Sequence, residues 1–215
     1  MIERLALSRP RMVRYVDRMF TSRHAPVALP ADVVRDLGRR YAEPHRAYHT
    51  AEHIAEVLGW FDWVTERTGW RAPLDVYLAI VFHDAIYEPL AGDNEARSAE
   101  LARDTVGASA RTQALIALTA RHAAIALEDV EGDRDAAQFL DSDLAILGAA
   151  PERFDAYDAA IAVEYRAVPA EMFRARRGAF LRTLLARPRI FLSDLFHAEL
   201  DGATRDNLRR ALARY

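Results

Sequence analysis

The chain has 215 residues, 29 basic against 32 acidic side chains and a net charge of −3, enough for one domain with a well-buried core. All 29 basic residues are Arg, and there is neither Lys nor Cys. Schiff-base catalysis, a P-loop lysine, thiolate nucleophiles, zinc fingers, iron–sulfur clusters and disulfides are therefore excluded. A slightly acidic chain of mixed sign carries no overall electrostatic footprint for a nucleic-acid polymer. The longest apolar run, 76–82, falls far short of the roughly 20 residues that span a bilayer. The first twenty residues are interrupted by charges and hold no signal-peptide core. A cytoplasmic location is expected.

Glycines never come closer than ten residues apart, so no glycine-rich phosphate loop of the common kinds exists. Gly and Pro instead punctuate Ala-, Leu- and Arg-rich stretches of helical period. Helices are expected at about 2–20, 31–42, 50–67, 73–87, 93–106, 109–125, 134–147, 151–166, 169–186 and 197–213. Pro73, Pro151 and Pro169 suit first turns, and Gly69, Gly107 and Gly148 suit the position just past a helix end. The expectation is an all-α, compact single domain over 1–215, with a core at about 46–150 and the C-terminal helices packed on it.

Three places carry chemistry. His83 and Asp84 close the most apolar segment, VYLAIVF, where an isolated His is either a hydrogen-bonded core residue or a ligand. In FLDSDLAIL, Asp143 has Phe139, Leu140, Ile146 and Leu147 at i±3 and i±4. A carboxylate on that apolar face needs an Arg, a hydrogen-bonding group or a metal; Asp141 falls on the flank. In AEPHRAYHTAEHIAEVL, His45, His49 and His53 recur every four residues, stacked on one face if the segment is helical. Thr50 can cap the helix bearing His53, and Arg46 offers a cationic fork. His122 sits on a separate helix, whereas His24 and His197 have no chemical company. The cluster Arg174, Arg176 and Arg177 reads as a solvated helix face. His53, His83, Asp84 and Asp143 together make a set suited to a divalent metal: Mn, Zn, Fe, Ni, Co or Mg.

The order H…HD…D resembles the HD-domain superfamily of metal-dependent phosphohydrolases. RAYHTAEHI, FHDAIYEPLAGDNEARSAELA, FLDSDLAILG, EYRAVP and TRDNLRRAL, from about residue 46 to 210, are similar to an uncharacterised bacterial branch of it. The resemblance implies an HD-type bundle with His53, His83, Asp84 and Asp143 as ligands. YHTAEHI is also similar to the YHN…H segment of cyclic-nucleotide phosphodiesterases, with Thr50 in place of Asn, which implies His49 as proton donor. HDAIYE lacks the acidic pair of the guanosine-tetraphosphate hydrolases. Two-iron oxygenases of this scaffold need two further His between HD and the last Asp, and only His122 lies there. The implied activity is metal-assisted hydrolysis of a small phosphorylated substrate, nucleotides included. Asp84 or Asp143 would take the water proton, and Arg46 or Arg121 would neutralise phosphoryl charge. His122, Asn94, Glu95 and Arg121 are candidates for substrate or a second metal, Asp93 and Asn94 alternatively for an N-cap. The alternatives are an oxygenase on the same scaffold and a non-catalytic metal-binding or regulatory module. A homodimer is compatible with the sequence.

Overall fold

The computed structural model describes residues 20–121 and 124–215, so the expected helix at 2–20 and His122 lie outside the described residues. Among the described residues there are nine α-helices and no strand. They are α1 (Ala31–Arg40), α2 (Ala51–Arg67), α3 (Pro73–Phe82), α4 (Asn94–Val106), α5 (Ala110–Leu118), α6 (Arg134–Leu144), α7 (Pro151–Glu164), α8 (Ala170–Leu185) and α9 (Asp194–Leu212). Short 3₁₀ turns follow α5, precede α6 and follow α6. No described helix is long and apolar enough to cross a membrane.

The boundaries have local causes. The Thr50 side chain accepts the Glu52 N–H and opens α2, and Pro73 and Pro151 occupy the first turns of α3 and α7. Gly69 and Gly107, both at φ +66°, take the left-handed conformation that succeeds a helix end. Gly148 does not. A Cβ there would lie 2.9 Å from Leu200 Cβ, so this glycine is present for the close approach of α9. The last helix starts earlier than its periodicity suggests because Ser193 caps it, accepting the Phe196 N–H.

Two departures bear on the site. The segment at 41–50 is a series of turns rather than a helix, so His45, His49 and His53 do not share a helical face. The third helix ends at Phe82 rather than continuing to 87. The carbonyls just beyond it, those of Asp84 and Ala85, accept instead from the Arg46 guanidinium at 2.8 and 3.3 Å. His83 and Asp84 therefore lie in the turn that leaves the helix.

The buried apolar side chains form two contiguous groups. Leu37, Ile54, Phe61, Val76–Phe82 and Phe139 build the first around α3; Phe154, Tyr157, Leu181, Phe191, Phe196 and Leu208 build the second around α7–α9. The second helix serves both, Ile54 in one and Val64 in the other. Full burial of a large aliphatic or aromatic side chain contributes about 1.5–3 kcal/mol. With every position from Val76 to Phe82 buried, α3 is a fixed platform for the turn bearing His83 and Asp84.

Candidate metal centre

His53, in the first turn of α2, and His83, at the end of α3, bring their Nε2 atoms to 3.3 Å from each other. Asp84 Oδ2 lies 3.0 Å from His83 Nε2 and 3.5 Å from His53 Nε2. Asp143 Oδ1, from the last turn of α6, lies 3.0 Å from His53 Nε2 and 3.4 Å from His83 Nε2. Donor atoms about 2.0–2.2 Å from a common centre are about 3.0–3.5 Å from one another in tetrahedral or octahedral arrangements. His53, His83 and Asp84 thus form a buried group with metal-binding geometry, and Asp143 adds a carboxylate oxygen within 3.4 Å of both imidazoles.

The donor chemistry fits a cation. His83 Nδ1 donates to the Ile80 carbonyl at 2.9 Å, a backbone bond that leaves the Nε2 lone pair facing the carboxylates. A neutral imidazole in that position opposes lone pair to lone pair, so the group needs a proton or a metal ion. Burial disfavours the His83 imidazolium, but the charges of Asp84 and Asp143 outweigh it and hold its pKa well above the usual range. Burial likewise pushes the Asp84 carboxyl upward, and His83 and His49 more than reverse this, leaving it well below the usual carboxylate range.

Beside this group stands His49, its ring 6.0 Å from that of His53 and stacked 4.2 Å from Tyr87. Its Nδ1 is 2.7 Å from Glu164 Oε2. Glu164 accepts from every neighbour in reach: the Tyr87 hydroxyl at 2.8 Å, and the N–H groups of Ala47, Tyr48 and His49 at 2.7, 2.8 and 3.0 Å. Burial works against its charge, yet His49 and these N–H groups bring its pKa down to about 2. The same pairing, with the field of Asp84, raises the His49 pKa against the cost of burial. Nδ1–H is thereby committed to Glu164, and Nε2 remains for the cavity.

That cavity, of about 560 Å³, is lined by His49 and Asp143 at one part and by Tyr157, Tyr165, Arg176 and Arg177 at another. A second, about 360 Å³, shares Asp143 with it and is lined by His53, Trp60, Trp63 and the Arg153–Glu56 pair.

Several sequence expectations change. Arg46 does not face a substrate: its side chain is fully buried and donates to the carbonyls of His49, Asp84 and Ala85 and to Glu43. It is a clamp that joins the two loops carrying His49 and Asp84. Asn94 neither lines the cavity nor caps α4. Its side chain closes a pair of hydrogen bonds with the Glu88 backbone, at 3.0 and 2.9 Å. Asp93 makes no cap bond either. Glu95 and Arg121 are absent from both cavity walls, and Arg121 is exposed on its 3₁₀ turn. His45 bonds the Tyr87 carbonyl at 2.7 Å. Asp141, placed on the flank by periodicity, is buried and accepts from Leu192 N, Ser193 N and Ser193 Oγ at 2.6–2.7 Å, anchoring the start of α9. Arg177 is buried rather than solvated.

Glu164 and Arg177 had no part in the sequence-based site, although both break an apolar stripe as Asp143 does. Glu164 comes after Tyr157 and Ile161 at i+7 and i+3, and Arg177 sits between Phe173 and Leu181 at i+4 and i−4.

Fold and site define a class: a compact all-α bundle with a buried His/His/Asp group able to hold a divalent metal. Compared with known protein families, curated proteins and solved structures, the chain finds no match in any of the three.

Proposed function

We propose that the protein is a divalent-metal-dependent phosphohydrolase of the HD type, cleaving a small phosphomonoester or phosphodiester, nucleotides among them, in the cytoplasm. The observation that carries this reading is the pairing of the His53, His83, Asp84 and Asp143 group with a separate imidazole, His49, whose Nδ1 is held by Glu164. A ligand group alone would suit storage or structure; a poised acid beside it suits bond cleavage.

His53, His83, Asp84 and Asp143 would hold the ion. Bound there, a divalent cation polarises a phosphoryl oxygen and activates water as a nucleophile. His49, its Nδ1 held by Glu164, would act as the acid, delivering a proton from Nε2 to the leaving oxygen. Glu164 fixes the ring orientation and stabilises its charged form. The second oxygen of Asp84 or Asp143 accepts the proton lost by water. Arg46 sets the spacing between the His49 and Asp84 loops.

The test is a panel of phosphate esters and nucleotides assayed with Mn, Mg, Ni, Co and Fe. Release of inorganic phosphate that a chelator abolishes and the metal restores is expected. No turnover with any pairing overturns the hydrolase reading and leaves a metal-binding or oxygenase role.

A further inference from the structure

The larger cavity has a cationic end that the hydrolytic machinery does not use. Arg177 on α8 is buried, yet its Nη2 makes no hydrogen bond. Its Nε donates to Asp158 Oδ1 at 3.0 Å. The Asp158 carboxylate is not its alone, because Oδ2 also accepts from Arg214 at 3.2 Å and from the Tyr215 hydroxyl at 2.8 Å. The guanidinium lies over the Tyr157 and Phe180 rings, at 5.0 and 5.2 Å. Arg176, exposed and adjacent, lines the same wall. A buried cationic N–H without an acceptor is costlier than an ordinary unmade hydrogen bond, and an anionic ligand oxygen would remove that cost.

Ring contacts fix the position of this end. Arg177 covers Tyr157, Tyr157 meets Tyr48 edge-on at 4.6 Å, and Tyr48 lies 4.8 Å from His53. Two aromatic rings thus separate the guanidinium from the metal-binding group. The intervening wall is apolar, with Ile146, Ile161, Phe173 and Phe180, and Asp143, at the far end, is the sole carboxylate on the lining among the described residues.

We propose that Arg177, assisted by Arg176, forms a second anion-binding subsite for a phosphate or carboxylate group. Assigning that group to the substrate rests on the phosphohydrolase reading. The substrate is then an extended molecule with the scissile phosphoryl at the His/Asp group and a second anion beyond an apolar or planar spacer. The planar Arg fork suits such oxyanions.

Inorganic phosphate titrated into chelator-stripped protein tests the subsite without any metal. One saturable equivalent is expected, weakened at least tenfold in Arg177→Met and about threefold in Arg176→Gln. Arg174→Gln, the same charge loss on the same helix outside this cavity, should bind as wild type. Arg177→Lys, which keeps a cation beside Asp158, guards against misfolding and should still lose several-fold affinity. No saturable binding, or equal losses in Arg174→Gln and Arg177→Met, overturns the proposal. Turnover assays judge the hydrolase reading separately: intact phosphate binding without turnover in any metal retains the subsite and removes only its assignment to a substrate.

Discussion

His49 Nδ1 and Glu164 Oε2 lie 2.7 Å apart although 115 residues separate them in the chain. The same carboxylate takes the N–H groups of three successive residues, Ala47, Tyr48 and His49. One side chain at the end of α7 therefore holds the backbone of the His49 loop and, together with the charge of Asp84, favours the charged form of its imidazole.

Glu164→Gln keeps the size and some hydrogen bonds but removes the charge that supports the imidazolium. Turnover should fall about 10–100-fold with metal content unchanged. The alkaline limb of the rate profile should also move to lower pH, because the raised His49 pKa relaxes downward. A profile that keeps its shape would show that Glu164 acts on folding alone.

The pair also predicts how stability depends on pH. The depressed Glu164 pKa, about 2 against an ordinary 4.5, contributes stability that is full above about 4.5 and lost as pH falls toward 2. The raised His49 pKa contributes stability that is full below its ordinary 6.5 and lost as pH rises through the folded value. The pair is therefore most stabilising at about pH 4.5–6.5. Urea unfolding of chelated protein should show wild type exceeding Glu164→Gln by on the order of 2–3 kcal/mol in that window. The gap should shrink on the acid side.

Metal analysis of purified protein should find about one equivalent per chain, falling sharply in His83→Ala and in Asp84→Ala. His49→Ala should keep its metal and lose turnover. Equal metal content in wild type and both ligand variants would remove the metal assignment.

Arg46 should be a stability residue. Arg46→Met leaves three loop carbonyls without a charged donor and should lower stability by about 2–4 kcal/mol. Arg46→Lys should rescue little, since an ammonium cannot span the carbonyls of His49, Asp84 and Ala85 together. Thermal unfolding of the three proteins decides this.

Two glycines should respond with opposite sign. Gly148→Ala drives a Cβ to 2.9 Å from Leu200 Cβ and should cost about 1–3 kcal/mol. Gly59, within α2, has nothing within 4 Å of such an atom, and Gly59→Ala should add about 0.5–1 kcal/mol. Denaturant midpoints measure both.

The all-α class, the helix starts at Thr50, Pro73 and Pro151 and the buried run of α3 were legible in the sequence, because period, caps and proline act within a few residues. So was the candidacy of His53, His83 and Asp84, which the structure brings into one group: with Lys and Cys absent, His and carboxylates are the metal-binding side chains left. What the sequence by itself left open was which polar side chains meet. Arg46 looked free to bind phosphate, but it holds two loops; Asp141 looked peripheral, but it anchors α9. Arg177 looked like a helix-surface charge, but it lines the cavity, and Glu164, given no part, holds the His49 ring. Each of these depends on a partner far along the chain, and a buried charge is tolerated only where the fold brings up its counter-charges and donors. That pairing is a property of the tertiary structure, and it separates the groups suited to ligation and proton transfer from those that hold them in place.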